Sequence, residues 1–258
     1  MKDDVFIFRW IAQDSRGNNK AAEMGVETVK KPPPAFSHYT GRAERSVSSL
    51  GERARQLASL VLQDIPAKDR QTMAVFLGTM RGAREEDLIF QRSRKNSNGK
   101  YSSPAAFSRT LPSTVAAELT IEFGIRGPLL VFTAGAASGL LASVRAIRWI
   151  QSGNISLALT GALDWSHADD CHNTIYSTSY SPQILFYLIG RRSALPGIYP
   201  MIQIKQGQLK YSSAQNKQRA IASITHFVNA FRLASTQRVN IQEKSGIGTL
   251  CQIIMGPV

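Results

Sequence analysis

The segment VFTAGAASGLLASV, residues 131–144, limits the possible folds of this chain more than any other. Val131 and Phe132 favour extended backbone. Gly135, Ala136 and Ala137 make a turn with almost no side chain. From Ser138 the apolar residues Leu140, Val144, Ile147 and Ile150 recur at helical spacing. A strand entering a helix through so tight a turn brings the first free amides of that helix to the strand's end. Such junctions stabilise an anion and seat nucleophiles. Here the tip carries Ala136, which has no atom to attack with.

Strands and helices alternate along the rest of the chain. VFIFRWIA (5–12) predicts a first strand, apolar and aromatic. KKPPPAFSHY (30–39) predicts a loop, because three prolines remove donors and fix the backbone. SSLGERARQLASLVLQ (48–63) sets Leu50, Ala54, Leu57 and Val61 on one helical face, and Pro66 closes it. TMAVFLG (72–78) predicts a short buried strand, and EEDLIFQRSRKNSNGKYSS a helix running into a polar loop. LPSTVAAELTIEFG (111–124) predicts a helix with Ser113 as N-cap and Gly124 as its stop. LLVFT (129–133) and ISLALTG (155–161) are strands flanking the helix that Ser138 opens. Residues 165–200 lack a clean period and predict a loop with a short helix near 182–189. MIQIKQ (201–206) as strand, a helix over 214–234 and GTLCQIIM (248–255) as strand finish the chain. The pattern predicts one α/β layered domain over 1–258 with a largely buried sheet.

A chain of 258 residues has ample core for such a domain. It holds no apolar run of about 18 residues, so no membrane span is expected. MKDDVFIFRW is acidic at once and predicts no secretory leader. Two cysteines, Cys171 and Cys251, make no disulfide framework, which points to a reduced, cytoplasmic setting. The net charge of +13 implies attraction to an acidic partner. The basic residues are scattered, and no zinc-finger, helix-turn-helix or RNA-recognition signature accompanies them, so nucleic acid is not the expected partner.

Other clusters carry less chemistry. HADDCH (167–172) gathers His167, Asp169, Asp170, Cys171 and His172, but no second cluster completes a metal shell; a polar loop is expected and no metal. Ser138 lies in AASGL, outside any G-x-S-x-G elbow, and is expected to cap its helix. AREED (83–87) reads as a solvated helix face, and SGIGTL (245–250) as a turn with too few glycines to cradle a phosphate. No cofactor is expected.

Residues 104–164 resemble the β-ketoacyl synthases of the thiolase fold, essentially without gaps. Those enzymes show a YGxRGP-like turn, here FGIRGP (123–128), then a strand and a TACSSG-like elbow, here TAGAASG (133–139). An I..G..D..L.GG.E stretch comes next, here IQSGNISLALTGALD (150–164). The resemblance implies a thiolase-like fold, truncated to mainly the N-terminal half of a full synthase. It also implies a cysteine nucleophile at the elbow tip, and that position is Ala136. Two histidine motifs of the family, resembling HGTGT and GHxxGAAG, are absent: His38, His167, His172 and His226 stand in other contexts.

The resemblance implies a chain length factor, a silent subunit paired with a full-length ketosynthase as in type II polyketide or aryl polyene synthesis. The strand Leu129, Leu130, Val131, Phe132 and Thr133 would pair with its twin across the dimer axis. Met80, Ala106, Phe107 and Thr110 would line the deep end of the partner's acyl tunnel. Ala106 is small where fatty-acid condensing enzymes often carry an aromatic, which implies either an open tunnel or close helix packing. An acidic acyl carrier protein gives the +13 charge a natural partner. The alternatives are a malonyl-carrier decarboxylase, a stand-alone carrier-binding module and, on charge alone, a nucleic-acid binder.

Overall fold

A computed structural model describes residues 4–14, 23–24, 49–80, 82–135, 137–164, 183–198, 202–211, 230, 233–234, 237–244 and 249–258. The strands are β1 (Val5–Asp14), β2 (Glu23–Met24), β3 (Ala74–Gly78), β4 (Leu129–Phe132), β5 (Leu157–Asp164), β6 (Gln183–Gly190), β7 (Ile202–Tyr211), β8 (Val239–Lys244) and β9 (Thr249–Gly256). The helices are α1 (Ser49–Val61), α2 (Ala67–Thr72), α3 (Arg84–Asn96), α4 (Pro104–Phe107), α5 (Thr114–Glu122) and α6 (Ser138–Gln151). Among the described residues, all nine strands join one sheet in the order β4-β3-β5-β6-β1-β7-β9-β8, with β2 paired to β1. β4, β3 and β5 run parallel, and the remaining pairs are antiparallel.

The layering arises from side-chain alternation. On β6, Leu185, Tyr187 and Ile189 join the core that α6 fills, while Ile184, Phe186 and Leu188 join the core under α1 and α5. β1 does the same with a phase change. Val5 and Ile7 face the α6 side, Phe6 and Phe8 the other, and a register shift between Ile7 and Arg9 lets Trp10 rejoin the α6 side. An extra residue in one strand reverses the faces beyond it.

Most elements lie where the residues predict them. Leu50, Ala54, Leu57 and Val61 are all buried on α1, and Leu140, Val144, Ile147 and Ile150 are fully buried on α6. Gly124 ends α5 with φ +65.

Several elements differ from expectation. The helix expected near 182–189 is not found: from Gln183 the described residues form strand β6, buried along Ile184–Gly190. An unbroken apolar run has no period to separate strand from helix; Pro182 and Gly190 bound it at strand length. Pro66 does not close α1, which ends at Val61, but stands at the N-cap of the short helix α2. Helix α4 is too short to show a period; its signal is Ser103 before Pro104, with the Ser103 Oγ accepting the Ala106 N–H at 3.2 Å. Ser113 holds the N-cap position of α5 without a side-chain cap bond. Glu86 of the AREED segment is buried rather than solvated. Strands β2 and β8 had no expectation. The proline loop at 30–39, HADDCH and all four histidines lie outside the described residues, as does most of 214–234.

Candidate functional site

The strand–turn–helix junction forms as its residues dictate. β4 ends at Phe132, Gly135 turns with φ +66, and α6 begins at Ser138 with Ala137 as its N-cap. Ala136 itself lies outside the described residues. Ser138 does not cap a helix amide. Its buried hydroxyl donates to the Gly135 carbonyl at 2.5 Å and accepts the Ala134 N–H at 2.8 Å, which ties the turn closed.

The elbow rests directly on the sheet. A Cβ at Gly78 would stand 2.2 Å from the Gly139 amide nitrogen, and one at Gly139 would stand 2.7 Å from the Ala162 Cβ. Only glycine at both positions lets the first turn of α6 touch the ends of β3 and β5. The elbow therefore sits at the carboxyl end of three parallel strands, where open α/β sheets place their ligands.

Beside it lies a polar knot that sequence reasoning missed. Asp164, at the end of β5, accepts the Thr79 hydroxyl at 2.8 Å and the Met80 N–H at 3.0 Å on each carboxylate oxygen. Thr79 Oγ1 in turn accepts the Gly82 N–H at 3.0 Å. The signal was present: a carboxylate closing a run as apolar as LALTGAL has to find donors where it lands.

The expected site residues separate into exposed and covered groups. Met80 is 39 % exposed and Phe107 61 % exposed, with Leu111, not singled out from the sequence, at 60 %. Thr110 is half-buried and donates its hydroxyl to the Phe107 carbonyl at 2.8 Å. Ala106 is buried by the chain's own residues. Phe107 leans on Phe90 of α3, ring centroids 5.3 Å apart, and the Ser103 N–H donates to the Ser93 hydroxyl at 3.0 Å. These contacts fix α4 against α3. A Cβ at Gly82 would stand 3.1 Å from the Pro112 Cγ, so the turn bearing Met80 packs at the start of α5 beside Leu111.

Among the described strands, β4 stands at the edge of the sheet. Leu130 is 37 % exposed, while Leu129 and Val131 partly pack on the α5 side and Phe132 on the α6 side. Thr133 is exposed. An apolar edge with unpaired backbone groups invites another strand. Among the described residues, no three side chains could hold a metal ion, and no helix is long and apolar enough to cross a membrane.

This mixed sheet, with a glycine-seated elbow at its parallel end, is the thiolase-like ketosynthase fold. The sequence model of the β-ketoacyl synthase N-terminal domain matches residues 18–174, more than half of the chain, and the chain belongs to that family. No curated protein matches it by sequence.

Solved structures give the same fold. The AntDE:AntF assembly, a type II PKS acyl-carrier protein in complex with its ketosynthase bound to the hexaketide, aligns at TM-score 0.78 and 11 % identity over 100 % of both chains. The ishigamide ketosynthase/chain length factor aligns at 0.71 and 14 % over 99 % of each. The ketosynthase ApeO in complex with its chain length factor ApeC, from Xenorhabdus doucetiae, aligns at 0.62 and 16 % over 98 % of this chain and 99 % of that one.

Proposed function

We propose that this chain is a catalytically silent chain length factor. It pairs with a full-length ketosynthase through β4 and shapes the partner's acyl tunnel in cytoplasmic type II polyketide or polyene synthesis. The observation that carries the reading is Ala136 at the tip of an elbow whose other parts are kept. Ser138 still ties the turn and Gly78 still makes room for the helix, yet alanine offers no lone pair to a thioester. A seat kept without its nucleophile serves assembly rather than acyl transfer. The open apolar edge of β4 supplies the surface for a partner, and the solved ketosynthase–chain length factor pairs supply the precedent for one. Met80, Phe107 and Thr110 are the proposed tunnel wall, with Ala106 packed behind them. The charge of +13 supports an acidic acyl carrier protein as second partner.

The test is co-expression with a ketosynthase and its carrier protein. The chain is expected to co-purify with the ketosynthase and to show no acyl adduct by intact mass after incubation with the acylated carrier. Removing the exposed ring with Phe107→Ala should lengthen the product by opening the wall. An acyl adduct on this chain with turnover, or failure to associate with any ketosynthase tested, would overturn the proposal.

A further inference from the structure

Resting on that reading, we infer that Asp164 is the positioning residue that fixes how far Met80 reaches into the partner's acyl tunnel, and thereby a determinant of product length. The turn after β3 is held from three directions. The Thr79 N–H donates to the Phe132 carbonyl of β4 at 2.9 Å, which registers the turn on the edge strand. The Asp164 carboxylate takes the Thr79 hydroxyl and the Met80 amide from the side of β5. Thr79 Oγ1 then passes the restraint to Gly82, which abuts Pro112 ahead of α5. Thr79 is 1 % exposed, so its hydroxyl makes these bonds out of water, while the Asp164 carboxylate is half-buried. Met80 is 39 % exposed, so the side chain projects from a pinned backbone.

A pinned amide sets the direction of the Cα–Cβ bond, and an apolar side chain on it presents a wall at constant depth. With the turn released, the same methionine can retreat before a growing acyl chain. The carboxylate is specific to the task. Both oxygens accept, and the Met80 N–H lies 3.0 Å from each. An asparagine would turn one of them into an NH2 group facing a donor. A purely structural role would cost stability without coupling Asp164 to the size of residue 80.

The experiment is a double-mutant cycle read on product length by mass spectrometry, using the chain co-purified with its ketosynthase: Met80→Trp, Asp164→Ala and the pair together. Amide hydrogen exchange at Met80 and Gly82 reports the tether itself. Met80→Trp should cut the longest product by roughly fivefold with Asp164 present and by less than about twofold without it, the signature of coupled residues. Asp164→Ala alone should broaden the product distribution and speed exchange at Met80, leaving exchange in β3 unchanged. Thr79→Val, which removes the hydroxyl and keeps the shape, should reproduce the loss of coupling if Asp164→Ala does not yield a folded pair. Equal shortening with and without the carboxylate overturns the positioning role and leaves the proposed function standing. No shortening by Met80→Trp in the otherwise intact chain removes Met80 from the tunnel, and the inference with it.

Discussion

Ser143, Thr160 and Tyr187 put three hydroxyls inside an otherwise apolar core, between α6, β5 and β6. All three are buried, and Tyr187 is 1 % exposed. The Ser143 hydroxyl reaches the Gly139 carbonyl at 2.6 Å and also meets the Tyr187 hydroxyl, so the ring is tied to the first turns of the elbow helix. Burial pushes the Tyr187 phenol well above its ordinary value of 10.0, and the neighbouring hydroxyls of Ser143 and Thr160 offset part of that. The sign of the consequence is fixed. Above about pH 10 the unfolded chain loses this proton and the folded chain keeps it, so stability falls as pH rises, by up to about 1.4 kcal/mol per pH unit. Tyr187→Phe should lose about 1 kcal/mol at neutral pH. It should also flatten the decline between about pH 10 and 11. Urea unfolding of both proteins across that range checks it, and parallel pH profiles would contradict it.

At the scale of elements, the proposed pairing with a ketosynthase rests on β4. Leu130 is its exposed member, so a change there tests the edge without emptying the core. Leu130→Lys should leave the melting temperature of the isolated chain within a few degrees, as surface changes do. Within an apolar interface the same lysine is an unpaired buried charge, costing about 3–5 kcal/mol. The expected result is loss of ketosynthase co-purification by a chain that still folds. An intact pair at wild-type affinity would place the interface elsewhere. The helices were legible to the degree that their apolar faces were periodic: α1 and α6 declare themselves, whereas α4 and α2 are too short for a period. β6 does not declare itself as a strand, because burial on both faces erases alternation.

For the molecule as a whole, charge sets the remaining expectation. From Leu88 to Ala117 the chain has five basic residues, Arg92, Arg94, Lys95, Lys100 and Arg109, and no acidic one. The first four are exposed at the end of α3 and in the turn after it. Attraction between such a surface and an acidic carrier protein is screened beyond about 10 Å at 0.1 M salt. Affinity of the pair for the carrier should therefore fall by roughly tenfold or more between about 0.05 and 0.5 M salt, mainly through slower association. A binding titration across that range decides it, and a salt-independent affinity would assign the charge to another role.

The sequence by itself determined the elbow, the helix it opens and the alanine at its tip. These are local facts, set by small residues, by a 3.6-residue apolar period and by the identity of residue 136. It also marked residues 129–133 as a strand. Tertiary structure decided that this strand is the sheet's edge, because strand order depends on pairings between distant segments such as β1 with β6. It decided as well that Ala106 is covered while Met80 and Phe107 are exposed, and that Asp164 meets a turn 85 residues away. A side chain's burial and its partners depend on which elements pack against it, and no local pattern of residues encodes that.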